Sequence, residues 1–305
     1  MALRALYRVT VCLTAVAFPL VFAVPAGWYL AKTKSRSPYC TNWKGLVDMR
    51  VELGRDSAAQ RIAKDMRRIA IDQKLSLFQW ETVDGRYWVP AGPPMLLAYL
   101  LAQQQSDIYG DKQAGVHSRD VVIDCGAHVG VFVKKALSRG ARLVVAVEPA
   151  PQAAECLRRN FSDEISRGAV IVCQKAIWDK PEMTLKFYLN GNEDAADSLV
   201  WQGKQAEAVD IKTTTIDAIA ADYHLDRIDF IKADIKGAAA ALLRGAKDTL
   251  VRSQPRMAIS TEEGFDHPAE LAALLSGIAP GKYRSTCGPC VTSAGNIFTD
   301  VMFFR

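Results

Sequence analysis

The residues best suited to chemistry stand in one short segment, where an acidic residue precedes two glycines. The run VVIDCGAHVG occupies 121–130, so Asp124 ends a β-branched stretch and Gly126 and Gly130 follow it. Glycine at 126 permits a tight turn and a close approach of the backbone to a ligand, and glycine at 130 lets a following helix pack near the strand. The pattern predicts a ligand site at the carboxyl end of a parallel strand, although an ordinary strand-to-helix turn has the same local sequence.

The spacing of the glycines indicates which ligand suits the loop. A dinucleotide site has the pattern G-x-G-x-x-G, because a pyrophosphate needs exposed backbone N–H groups, and this loop has only two glycines. An aspartate ahead of the loop suits a ligand with a cationic end, such as a methionyl ammonium group. Glu148 closes the next β-branched run, where a carboxylate can accept two hydrogen bonds from a ribose diol. Lys175 and Ala176 follow the third run, at a position from which adenine is commonly contacted.

Four short motifs together resemble a known family. They are DCGAHVG at 124–130, VEP at 147–149, DFIKADIKG at 229–237 and FTDVMF at 298–303. They are similar to the FkbM-type family of S-adenosylmethionine-dependent methyltransferases, and the likeness covers residues 120–305. The resemblance implies a Rossmann-like class I methyltransferase fold with a mostly parallel central sheet. It also implies O-methylation of a sugar, a lipid-linked glycan or another small hydroxylated acceptor.

The resemblance carries expectations for individual residues. The residues expected to bind S-adenosyl-L-methionine are Asp124, Gly126, Ala127, His128, Gly130, Glu148, Pro149, Lys175 and Ala176. The residues expected at the methyl-transfer centre are Asp234, Lys236 and Glu262. No metal site is expected.

Lys236 departs from the family pattern, which has glutamate at this position. The replacement inverts a charge beside the expected transfer centre, so it implies either impaired activity or an acidic substrate; a surface exchange in the first turn of a helix is the alternative. The family also places a glutamate and a histidine after the fifth strand, for which this chain offers Glu262 or Glu263 and His267.

Strand-like and helical stretches alternate from residue 120 onward, which is typical of βαβ units. Expected strands are 121–124, 143–148, 170–174, 228–233, 257–261 and 297–304, with an added antiparallel strand at 183–189. Expected helices are 129–138, 152–160, 238–250 and 268–275. Before them we expect a linker at 35–54, a surface helix at 56–77, a hairpin at 78–90 about an Asp-Gly pair, and a helix at 91–109. The predicted domains are a membrane anchor at 1–34, a helical and hairpin region at 35–118, and the methyltransferase domain at 119–305.

Residues 9–31 contain no charged side chain and have basic residues on both sides, which predicts a single transmembrane helix. A cleaved signal peptide is the alternative. The flanking charges slightly favour a cytoplasmic location for the domain that follows. The net charge of +5 is spread without long runs of like charge, so a nucleic-acid partner is not expected.

The seven cysteines are an odd, scattered set, which favours a reducing compartment. Cys287 and Cys290 are compatible with a turn bearing free or occasionally oxidised thiols, or with a metal or disulfide role. A metal site would need further donors, for which Cys40 and His267 are candidates.

Two other functions remain open at this point. The first is a non-catalytic accessory subunit of a membrane assembly that keeps the fold, for which Lys236 and the unmatched N-terminal part give support. The second is a dehydrogenase, which the glycine pattern disfavours.

Overall fold

A computed structural model describes residues 34–35, 38–110, 114–189, 199, 207–261, 267–293 and 296–305. The predicted transmembrane helix at 9–31 lies outside these residues. Within them, no helix combines the length and the apolar composition that crossing a membrane requires.

The described residues form helices and short strands throughout. The strands are β1 (Lys34–Ser35), β2 (Arg67–Asp72), β3 (Leu77–Thr82), β4 (Gly85–Pro90), β5 (Val121–Cys125), β6 (Leu143–Val147), β7 (Val170–Cys173), β8 (Ala176–Ile177), β9 (Thr184–Leu189), β10 (Glu207–Thr214), β11 (Phe230–Ala233), β12 (Arg256–Ser260), β13 (Ser285–Cys287), β14 (Cys290–Ser293), β15 (Asn296–Thr299) and β16 (Val301–Phe304). The helices are α1 (Asn42–Asp65), α2 (Pro94–Gln105), α3 (Val131–Ser138), α4 (Pro151–Asn160), α5 (Ser162–Ser166), α6 (Ile216–Asp222), α7 (Ala239–Arg244), α8 (Lys247–Arg252) and α9 (Pro268–Ile278).

The central sheet has seven strands in the order β13-β16-β12-β11-β5-β6-β7. The five strands from β12 to β7 run parallel, and β16 pairs antiparallel with both β12 and β13. Alternate side chains of β5 are buried on opposite faces, with Ile123 in one apolar core and Val122 in the other. The chain moves outward from β5 to β6 and β7, and then returns to β11 on the other side. This reversal beside β5 is the position at which open α/β sheets bind ligands.

The N-terminal region, residues 38–110, is only partly as expected. The hairpin is confirmed: β3 and β4 pair antiparallel across a turn that contains Asp84 and Gly85. The surface helix expected at 56–77 is confirmed only for residues 56–65, because α1 ends at Asp65 and residues 67–72 form β2, the third strand beside the hairpin. Pairing with β3 outweighs the helix-like spacing of the apolar residues in this segment.

The linker expected at 35–54 is also wrong, because α1 begins at Asn42. The Thr41 hydroxyl accepts a hydrogen bond from the Lys44 backbone N–H at 3.1 Å, which satisfies one of the free donors at the helix start. Two glycines in α1 lower its helix propensity and conceal it in the sequence.

Contacts of several kinds join the N-terminal region to the rest of the chain. Apolar residues of α1, α2 and the hairpin share one core with Val129 and Cys156. Arg55 of α1 forms a buried ion pair with Asp300, at 2.6 Å. A disulfide links Cys40 to Cys290.

Some expected elements are divided. The helix expected at 238–250 is split at Gly245 into α7 and α8. The Gly245 backbone lies so close to Trp178 that an added Cβ would be 2.5 Å from the Trp178 carbonyl oxygen. The strand expected at 297–304 is split into β15 and β16 at Asp300, whose side chain turns inward to pair with Arg55. The antiparallel strand expected at 183–189 is confirmed as β9, and its partner β10 was not predicted.

Candidate functional site

A cleft lies at the carboxyl ends of the parallel strands, at the reversal in strand order. Its lining contains one chemically distinctive residue after each of four neighbouring strands. These are Asp234 after β11, Gly126 after β5, Glu148 after β6 and Lys175 after β7. The cleft therefore coincides with the edge of the sheet that the sequence predicts as the binding site.

The loop between β5 and α3 turns on its two glycines. Gly126 and Gly130 have φ angles of +73° and +90°, in the left-handed region that favours glycine. An added Cβ at Gly126 would lie 2.1 Å from the Asp234 carbonyl oxygen, and one at Gly130 would lie 2.1 Å from the Phe161 ring. Both glycines are thus required by packing within the protein. This differs from the expectation that Gly126 is needed for a ligand and Gly130 for packing against the strand.

Asp124 does not face the cleft. Its carboxylate is fully buried, 3.0 Å from the Lys232 Nζ, because Asp124 and Lys232 are register partners on β5 and β11. The structure thus places Asp124 in an internal ion pair and not among the residues that line the cleft, whereas the sequence predicts it beside a ligand ammonium group. A lysine amid the apolar residues of β11 was the available sequence signal for this pair.

Lys232 forms part of the cleft floor. Its Nζ donates to the Gly126 carbonyl oxygen at 2.7 Å and lies 5.2 Å from the centroid of the Tyr109 ring. Burial alone lowers the pKa of Lys232, but the Asp124 and Asp234 carboxylates more than offset this and leave the pKa raised. The ammonium group consequently stays charged and fixes the glycine loop against β11.

Asp234 is held by a residue that sequence reasoning missed. The Tyr109 hydroxyl donates to Asp234 Oδ2 at 2.9 Å, and both side chains line the cleft. Tyr109 lies in the N-terminal region, after α2. It brings that region into direct contact with the expected transfer centre.

Glu148 lies in the cleft and is nearly fully buried. Its Oε2 accepts from the His128 backbone N–H at 2.8 Å, and its Oε1 accepts from the Ala150 backbone N–H at 2.9 Å. Burial raises the pKa of Glu148, while the His128 charge and the two backbone hydrogen bonds oppose the shift. A carboxylate has about four acceptor positions, so this fixed group can still accept hydrogen bonds from a diol.

The far end of the cleft is formed by Pro149, Lys175 and Ala176, as the resemblance implied. Lys175 forms an ion pair with Glu182, which raises its pKa. Ala127 and His128 also line the cleft. This end combines backbone and apolar surface suited to a flat heteroaromatic ring.

Several predicted residues lie elsewhere. Gly130 and Lys236 do not line the cleft, although Asp234, Ile235 and Ala238 around Lys236 do. His267 is exposed at the start of α9. Glu262 and Glu263 fall outside the described residues.

The expectation for the cysteine pair needs correction. Cys290 bonds to Cys40, 250 positions away in sequence, while Cys287 is a free thiol. No cluster of potential metal ligands occurs in the part of the chain that the structure describes. The expectation of reduced thiols is therefore wrong for Cys40 and Cys290, because they lie on segments that only the fold brings together.

The family model for the methyltransferase FkbM domain matches residues 124–283, just over half of the 305-residue chain. The chain belongs to the FkbM methyltransferase family. S-adenosylmethionine is the cofactor of these methyltransferases.

Solved structures similar to this FkbM-family chain include an FkbM methyltransferase from Methylobacillus flagellatus, with 16% identity and a TM-score of 0.42, covering 86% of this chain and 60% of that one. They also include precorrin-6y C5,15-methyltransferase from Geobacter metallireducens, with 12% identity and a TM-score of 0.34; the match covers 63% of this chain and 80% of that one. Fibrillarin from Aeropyrum pernix, which holds natively bound S-adenosyl-L-methionine, has 13% identity and a TM-score of 0.38; the match covers 79% of this chain and 97% of that one. No curated protein matches the chain. The family assignment rests on the family model.

Proposed function

We propose that this chain transfers a methyl group from S-adenosylmethionine to a hydroxyl of a sugar, lipid-linked or other small acceptor. The observation that carries the proposal is the cleft, which has a buried carboxylate, Glu148, toward one end and a tyrosine-bound carboxylate, Asp234, at the other. The two groups follow strands on opposite sides of β5, so an elongated ligand can reach both.

The residues present fit the cofactor. Glu148 is fixed by two backbone N–H groups and can accept a ribose diol, and Pro149 and Ala176 provide apolar surface for adenine. The cleft above the glycine loop is open, which favours a ligand-binding protein over an accessory subunit with a closed site. When bound, S-adenosylmethionine supplies an electrophilic methyl group.

Asp234 is our candidate for orienting the acceptor. It is partly exposed in the cleft, and the Tyr109 hydroxyl occupies one of its oxygens and leaves the other for an acceptor hydroxyl. In this arrangement Asp234 Oδ1 accepts the hydroxyl proton as the oxygen attacks, which is general base catalysis from a positioned carboxylate. Placing the attacking oxygen about 3 to 3.5 Å from the methyl carbon is the main contribution of such a site.

The binding step is tested by calorimetry with S-adenosylhomocysteine, and with NAD as the control ligand. We expect micromolar binding of the adenosyl compound and little of NAD. Binding of NAD with no response to S-adenosylhomocysteine would overturn the proposal.

The chemical step is tested by release of S-adenosylhomocysteine in the presence of neutral sugars, sugar phosphates and simple alcohols. Asp234→Asn should lower turnover by about 100-fold or more if Asp234 is the base. Lys236→Glu serves as the control, because Lys236 does not line the cleft, and it should leave cofactor affinity unchanged.

The membrane context is a further part of the proposal. The uncharged run at 9–31 supports an anchor, which would favour a lipid-associated acceptor. The flanking basic residues favour a cytoplasmic domain, whereas the Cys40–Cys290 disulfide favours an oxidising compartment. Protease protection of intact vesicles distinguishes these two orientations.

A further inference from the structure

Two glutamines of the N-terminal region stand out among the residues that line the cleft. Gln103 and Gln104 belong to the last turn of α2 and are only 5% and 9% exposed. Neither side chain makes a hydrogen bond or ion pair with any part of the chain that the structure describes. Buried carboxamides are normally hydrogen-bonded, so two that have no partner in the protein and line an open cleft are available to bind a ligand there.

The other polar side chains of the cleft are already engaged. Lys232 pairs with Asp124, Lys175 with Glu182, and Asp234 with the Tyr109 hydroxyl. Glu148 accepts two backbone N–H groups. The glutamines therefore differ from these four charged groups of the cleft.

The chain connects these glutamines to the Asp234 end of the cleft. Tyr109 follows α2 by four residues and is tied to Asp234 through its hydroxyl. α2 also packs against α3, the helix that follows the glycine loop. Glu148 and Lys175, which suit the adenosine part of the ligand, follow β6 and β7 on the other side of β5.

Three backbone N–H groups of the glycine loop already donate hydrogen bonds within the protein and are not available to a charged ligand. The backbone N–H groups of Gly126 and Ala127 both donate to the Val147 carbonyl oxygen, and that of His128 donates to Glu148. Asp124, which the sequence offered for an ammonium group, is bound to Lys232. An amino-acid group at this end must find its partners elsewhere.

The glutamines match an amino-acid group in chemistry. A carboxamide oxygen accepts from an ammonium group and a carboxamide NH₂ donates to a carboxylate, so two carboxamides can serve both ends of a zwitterion. They stand at the C-terminus of a helix, whose partial negative charge favours cations. The aminocarboxypropyl part of the cofactor is such a zwitterion, attached to a cationic sulfonium.

We propose that Gln103 and Gln104 hold the amino-acid end of S-adenosylmethionine. The inference rests on the proposed function and assigns cofactor recognition to α2, which lies outside the segment that the family model matches. The adenosine end then depends on Glu148, and the two ends are recognised by different regions of the chain.

The test compares two ligands that differ only at this end. S-adenosylhomocysteine carries the amino-acid group, and 5′-methylthioadenosine has a methyl group in its place. We expect Gln103→Leu and Gln104→Leu each to raise the dissociation constant of S-adenosylhomocysteine about 10-fold, which corresponds to the loss of one hydrogen bond to a charged group. The dissociation constant of 5′-methylthioadenosine should change by less than about twofold by the same reasoning.

Gln105→Leu is the matched control, because Gln105 is the exposed neighbour on the same helix, and neither ligand should be affected. Equal weakening of both ligands in the Gln103 and Gln104 variants would overturn the inference, as would unchanged affinity for both. If wild-type protein binds neither adenosyl ligand, the proposed function itself fails. That result is distinct, since the inference concerns only the difference between the two ligands.

Discussion

The segment matched by the family model and the N-terminal region contribute to the cleft in different ways. The matched segment, residues 124–283, supplies the strand ends, the glycine loop, Glu148 and Asp234. The N-terminal region supplies Tyr109, Gln103 and Gln104, and an ion pair and a disulfide join it to the C-terminal segment that contains β14, β15 and β16. The matched segment therefore builds the floor of the cleft, and the unmatched N-terminal region completes its wall.

The largest effect is expected inside the matched segment, at Gly126. Gly126→Ala introduces a Cβ 2.1 Å from the Asp234 carbonyl oxygen at a φ of +73°, so β5 and the loop after β11 must separate. We expect the free energy of unfolding to fall by about 5 kcal/mol, among the largest single-residue effects. Denaturant unfolding measures it.

Gly277→Ala is the control, because a Cβ at Gly277 in α9 would meet no atom within 4 Å. It should stabilise the protein by a few tenths of a kcal/mol to about 1 kcal/mol. A stable Gly126→Ala protein that merely loses ligand binding would restore the sequence-based view that Gly126 serves the ligand.

The second-largest effect on stability is expected at the buried ion pair between Arg55 of α1 and Asp300. Arg55→Ala leaves the Asp300 carboxylate buried without its 2.6 Å partner. We expect a loss of about 3 to 5 kcal/mol in the free energy of unfolding.

The exposed pair Arg67–Glu81 gives the comparison, with side chains 75% and 37% accessible. Arg67→Ala should cost less than about 1 kcal/mol. Equal costs for the two arginines would mean that α1 is not fixed to the sheet through Arg55.

The disulfide should contribute somewhat less than the buried ion pair. Cys40→Ser removes a link between segments 250 positions apart, and we expect about 2 to 4 kcal/mol of destabilisation under non-reducing conditions. Cys287→Ser, at a free thiol, should have little effect. Mass spectrometry after alkylation should find Cys40 and Cys290 protected, and labelling of both in native protein would contradict the bond.

The smallest effect concerns Glu148 and pH. Burial raises the pKa of Glu148 above 4.5, the ordinary value for a glutamate. Glu148 therefore takes up its proton at a higher pH than an exposed glutamate does. Protonation removes acceptor capacity for the ribose, so affinity for S-adenosylhomocysteine should fall about fivefold, or about 1 kcal/mol. Calorimetry across this range measures the change.

The loss of affinity at low pH can be distinguished from unfolding, because the same protonation changes ligand affinity and folding stability in opposite directions. A carboxyl group whose pKa is raised in the folded state binds its proton before the unfolded chain does, so its contribution to stability increases as the pH falls. Glu148→Gln should bind more weakly at neutral pH and lose the pH dependence. A pH dependence that survives in this variant would assign the titration to another group.

Local signals in the sequence were reliable where a short pattern has one structural outcome. The Asp-Gly pair predicted the hairpin of β3 and β4, and alternation of β-branched and helical stretches predicted the parallel strands. Helix limits were less reliable, because the end of α1 depends on whether residues 67–72 find a strand to pair with. That partner is β3, whose residues lie 5 to 14 positions further along the chain than the β2 residues they pair with and do not contribute to the helix pattern.

The candidate site divides in the same way. Glu148 and Asp234 were found because each directly follows a recognisable strand, and strand ends meet at one edge of a parallel sheet. Asp124 was placed at that edge as well, but its environment depends on Lys232, more than a hundred positions away. Register between β5 and β11 decides that Asp124 faces a lysine instead of a ligand.

The sequence by itself determined the parallel strands β5, β6, β7, β11 and β12, the glycine loop and the class of cofactor, because each depends on residues close together in the chain. Only the tertiary structure decided the Asp124–Lys232 pair, the Cys40–Cys290 bond and the contribution of Gln103 and Gln104 to the cleft. These features join segments separated by long stretches of sequence. Their partners are selected by packing and strand register, which local patterns do not encode.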